Sequence, residues 1–157
     1  MGTTIDFLHL LATVIWIGGA LFITLVLGPG LASIAPPERG KLMEAVSKRF
    51  GILAWVCVLV LLGTGGHRVP EGKLLDLAST YGQVLTVKHF LVLLMIVVAL
   101  LLTFVAGPKV KALAPKPGEP PSPEFMKAQK LGPLLGATNA LLGVGVLVCA
   151  TLLGGLV

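Results

Sequence analysis

At 157 residues, 55% hydrophobic and only 12% charged, the chain has more apolar and about half as many charged residues as a soluble domain. This excludes a soluble globular enzyme. Its formal charge of +5 sits in the connections between apolar runs, where it signals membrane topology and not nucleic-acid binding.

Four runs of roughly 20 apolar residues fit with short connections. The fold class predicted is an all-α integral membrane protein, with 1–157 forming a single up-and-down bundle of four transmembrane helices. The first helix is predicted from about Ile5 to Leu27, closed by Gly28, Pro29 and Gly30. No basic segment precedes it, so it is expected to stay in the mature protein. Inside it lies Leu8 to Gly19, LHLLATVIWIGG, with His9 in an apolar run. An imidazole in hydrocarbon loses its water and must find a protein group, a metal or a cofactor. The plainer alternative is a hydrogen bond to a carbonyl near the headgroups. His9 shares a helical face with Thr13, Trp16 and Ala20, and that mixed stripe is expected to face protein.

Pro37 to Val46 suggests a short interfacial helix, and the second span starts near Phe50. It runs through Cys57 to Gly63, Thr64, Gly65, Gly66 and His67, where the glycines either admit a close neighbour or mark a helix end. A loop from Arg68 to about Thr80 leads to the third span, which carries Lys88 and His89 in its first turns and ends at Gly107 and Pro108. Lys88 either snorkels to the headgroups or points inward as a cation. Proline-rich Lys109 to Lys130 is predicted as loop, and the fourth span covers about Leu131 to Val157. Gly132, Gly136, Ala140 and Gly143 make a small-residue stripe beside Asn139, suited to a homodimer face or to packing within the bundle. Cys57 and Cys149 lie inside spans without CxxC spacing, which argues against a disulfide or zinc site.

Nine Lys and Arg residues fall in the first and third connections (Arg39, Lys41, Lys48, Arg49, Lys109, Lys111, Lys116, Lys127, Lys130), against Arg68, Lys73 and Lys88 around the second. The positive-inside rule puts the first set in the cytoplasm and both termini on the outer face. His9, His67 and His89 then all lie toward the outer side. Helices one and three face each other diagonally, so His9 and His89 could bind one group between them. Haem b suits two axial imidazoles, with His67 and Arg68 at the rim near its propionates, for electron transfer or porphyrin redox chemistry. Copper is the alternative, with His9, His67 and His89 as ligands for binding or uptake, and Cys57 and Met95 as deeper sulfur donors or core fillers.

The chain resembles the CopD family of bacterial membrane proteins linked to copper handling. The resemblance rests on His9 followed by Trp16, Gly18 and Gly19; Arg49 and Phe50 leading to Thr64 and Gly65; Tyr81, Gly82, Leu85 and Lys88; and Asn139. Such sequences are also similar to the HemJ type of protoporphyrinogen oxidase, which implies haem b and roles for a first-helix histidine and a third-helix lysine, here His9 and Lys88. The arginine after the tryptophan and the Asn-Glu-Pro stretch of that type are absent here. The resemblance implies a multi-pass protein of a bacterial or archaeal inner membrane, with lipid, a second copy, and a redox partner or quinone as candidate partners.

Overall fold

The computed structural model describes residues 2–69, 72–116 and 119–156, with the side chain of Arg68 outside that description. Four helices are long and apolar enough to cross a membrane: α1 (Gly2–Ser33), α2 (Pro36–Gly65), α3 (Thr80–Ala112) and α4 (Pro123–Gly154). At 1.5 Å rise per residue each is about 45–50 Å long, against a hydrocarbon core of about 30 Å. The excess lies mostly at the end where Lys and Arg cluster, called the basic end below. The opposite, histidine end holds the N-terminus of α1, the end of α2 and the start of α3.

The helices run further than predicted, for local reasons. Pro36 and Pro123 occupy the first turns of α2 and α4, where a missing N–H costs nothing and the fixed φ suits a helix. Ser122 caps α4 by accepting a hydrogen bond from the Phe125 N–H at 3.1 Å. The interfacial helix and second span are thus one helix, and only Ile34 and Ala35 separate it from α1. Arg39 closes this corner, its Nη2 donating to the carbonyls of Ala32 (3.1 Å) and Ile34 (3.2 Å).

Gly28-Pro29 and Gly107-Pro108, predicted as helix ends, are passed through instead. Each is preceded by a five-residue π turn, Ile23–Leu27 and Leu102–Ala106, and helical backbone resumes beyond it. Proline lacks the N–H that an α-turn needs there, and the wider turn accommodates its ring within the helix. Gly28 N–H bonds to Ile23 O and Gly107 N–H to Leu102 O.

α1 packs on α2 and more lightly on α4, and α3 packs most extensively on α4. α3 meets α2 in the basic half through Trp55 Nε1–H, which donates to Thr103 Oγ1 at 3.2 Å, and through the Lys111–Glu44 ion pair at 3.2 Å. α1 and α3 therefore lie across the core from each other. The core joins Ala12, Trp16 and Ile17 of α1, Ala54, Cys57 and Val58 of α2, Met95 of α3 and Val146 of α4. Leu25, Leu59, Phe104 and Leu141 stand outward and largely exposed, a surface that suits hydrocarbon and not water.

Candidate functional site

The predicted inward stripe on α1 is present: Trp16 and Ala20 are buried, and His9 and Thr13 are half-buried. His9 Nδ1 lies 2.8 Å from Thr64 Oγ1 in the last turn of α2, a contact joining residues 55 positions apart. Thr64 Oγ1 also donates to Val60 O at 2.7 Å, which uses its only hydrogen. Thr64 must therefore accept from His9, so Nδ1 carries the proton and, in the neutral ring, Nε2 carries the lone pair. One hydroxyl thus sets both the orientation and the tautomer of the imidazole, as outer partners do for metal-binding histidines. Gly65 lies beside the ring, where an added Cβ would sit 3.7 Å from His9 Cε1.

His89 is exposed on α3, and its Nδ1–H donates to the carbonyl of Leu85, one turn back, at 2.8 Å. A carbonyl only accepts, so Nδ1 carries a proton in this ring too. His67 is exposed on a 3₁₀ turn, Gly66–Arg68, directly after α2. Lys88 is half-buried. The role predicted for Arg68 rests on a side chain outside the described residues. Among the described residues no three His, Cys, Asp or Glu side chains come together as a group able to hold a metal ion.

Deeper in the bundle the groups are sulfur and amide. Cys57 is two turns below Thr64 on α2, roughly 10 Å by helical rise, and is a free thiol buried in the same core cluster as Met95 and Trp16. Cys149 is buried on α4. Asn139, also on α4, is only 4% exposed, and its Oδ1 has no hydrogen-bond partner.

At the histidine end, the connection before α3 is held by its own hydrogen bonds. Asp76 accepts hydrogen bonds from Ser79 Oγ (2.6 Å), Lys73 Nζ (3.0 Å) and the Ala78 N–H (3.1 Å). These bonds, the one from Ser79 foremost, hold its carboxyl down to about 2 from an ordinary 3.8. Ser79 in turn caps α3 by accepting from the Gly82 N–H at 3.2 Å. Gly82 is needed there, because a Cβ would collide with the Asp76 backbone.

His9 is legible from the sequence, and its partner Thr64 is not. The available signal was Thr64 itself, a lone hydroxyl among glycines at a helix end assigned to the same side as His9.

The family model for copper resistance protein D matches residues 44–153, well over half of the chain. The matched segment takes in Thr64, His67, Lys88, His89 and Asn139 and begins beyond His9. No curated protein and no solved structure matches the chain.

Proposed function

The chain belongs to the copper resistance protein D family, and from that premise we propose that it is a membrane protein that binds copper and passes it into the bilayer from the histidine end. The observation that carries this is the His9–Thr64 bond, which holds an imidazole at the top of a core containing two buried sulfurs. Imidazole ligates copper readily, and thiol and thioether in apolar surroundings favour the cuprous ion. Copper taken at His9 would meet Cys57 and Met95 about two turns deeper, a step from a nitrogen to a sulfur environment. His67 and His89, at the same end, are the further ligands proposed. The basic end faces the cytoplasm of a bacterial or archaeal cell under this proposal, and the histidine end faces outward.

The test is the copper content of detergent-purified protein after loading with cuprous ion and removal of excess. Stoichiometric copper in the wild type and its loss in His9→Ala is expected. Wild-type protein without copper, or His9→Ala with a full complement, would overturn the proposal.

Haem b is the second candidate occupant, supported by two histidines, His9 and His89, each oriented through Nδ1 at the same end of the bundle. Those two residues would hold the iron, and a bound haem would supply one-electron chemistry. An absorption spectrum of the same sample, with and without dithionite, decides it: a reduced α band lost in His89→Ala supports haem, and a colourless copper-free protein rejects both occupants.

A further inference from the structure

The segments around the two π turns resemble one another. Ile23 to Pro36 reads ITLVLGPGLASIAP and Leu102 to Pro115 reads LTFVAGPKVKALAP, offset by 79 positions with Thr, Val, Gly, Pro, Ala and Pro in register. The backbone repeats as well, each copy forming a five-residue π turn closed by a glycine N–H and followed by proline. Both copies sit in helices that run in the same direction, from the histidine end to the basic end. The hairpins α1–α2 and α3–α4 thus run parallel, each from the histidine end to the basic end and back.

Gly143 of α4 fixes the depth at which the hairpins meet. A Cβ there would stand 3.0 Å from Ile17 of α1 and 3.5 Å from Met95 of α3, so these three residues share one level. Asn139 is one turn from Gly143 toward the basic end. Both π turns begin within about two turns of that level on the same side. The orphaned Asn139 oxygen therefore sits just above two matched breaks in the α-helical bonding. Buried polar atoms are normally hydrogen-bonded, and this one is an acceptor with nothing to accept from. Below it, side-chain links across the basic half include Trp55–Thr103 and the exposed Lys111–Glu44 pair.

We propose that the two π turns are paired hinges, and that swinging the basic halves of α1 and α3 outward opens a way from the basic side to Asn139, whose oxygen then accepts a hydrogen bond from water or from a hydrated ion leaving the core. Irregular turns and Gly-Pro steps are where long helices bend. The proposal deepens the copper reading by giving the cargo an exit, but its test involves no copper.

Asn139→Cys and, separately, Ala140→Cys are made in a Cys57→Ala/Cys149→Ala chain in membrane vesicles of both orientations, and treated with a membrane-impermeant maleimide. Ala140 is buried beside Asn139 and its replacement removes no polar group. Labelling of both positions from the basic side alone is expected, slowed several-fold when Pro29→Ala and Pro108→Ala restore the missing N–H groups. Two outcomes overturn the gate: no labelling from the basic side, or labelling that the proline replacements leave unchanged. Either leaves copper binding at His9 standing. Wild-type protein that binds no copper in the separate loading experiment, with labelling as expected, overturns the copper reading and keeps the gate.

Discussion

Thr64 has one hydroxyl hydrogen and spends it on Val60 O, so its bond to His9 has a fixed direction. Thr64→Val keeps the shape and removes the acceptor, leaving a half-buried Nδ1–H without this partner and the ring without its tautomer lock. Copper affinity is expected to fall about 10- to 100-fold, the usual loss when an outer partner of a metal-binding histidine is removed. Thr64→Ser should restore most of it. A competition titration against a cuprous chelator measures both, and an unaltered Thr64→Val would show that the hydroxyl only holds α2 to α1. The imidazole was legible in sequence because a polar ring in an apolar run needs a partner. The partner was not, since it comes from 55 positions away and through the helix-helix register, which composition and periodicity leave open.

Helix ends were the least legible elements. Proline was read as a stop at Pro29 and Pro108 and as loop at Pro36 and Pro123, yet in each place the backbone is helical. Position within the turn decides: a first-turn proline loses no bond, and a π turn absorbs one further in. The connection before α3 shows a different dependence. Asp76 has its carboxyl below the ordinary value, so its bonds stabilise the folded connection fully above pH 4 and are lost as pH falls toward about 2. Pepsin, active across that window, should cut near Leu74, Leu75 and Leu77 progressively faster from pH 4 to pH 2. In Asp76→Asn the dependence should vanish. Cleavage independent of pH in the native chain would mean that the Asp76 bonds do not hold the loop.

For the molecule as a whole, apolar runs and charge placement suffice to give four membrane helices, because the bilayer demands internal hydrogen bonding and about 20 apolar residues per crossing. They do not give occupancy. The choice between haem and copper turns on which nitrogens and sulfurs share a space, and three histidines on one side of a sequence were compatible with either. The described residues place Cys57 and Met95 in one core below His9, while His89 stands exposed on α3. That separation of imidazole above and sulfur below fits movement of a soft ion along the bundle better than a ring clamped between two histidines.

The most direct measurement is copper entry into proteoliposomes that hold a cuprous indicator. Saturable entry is expected through the wild-type protein, reduced at least about tenfold in His9→Ala, since a ligand matters no less than its outer partner. Entry no faster than through empty liposomes, or an undiminished rate in His9→Ala, would contradict the copper reading.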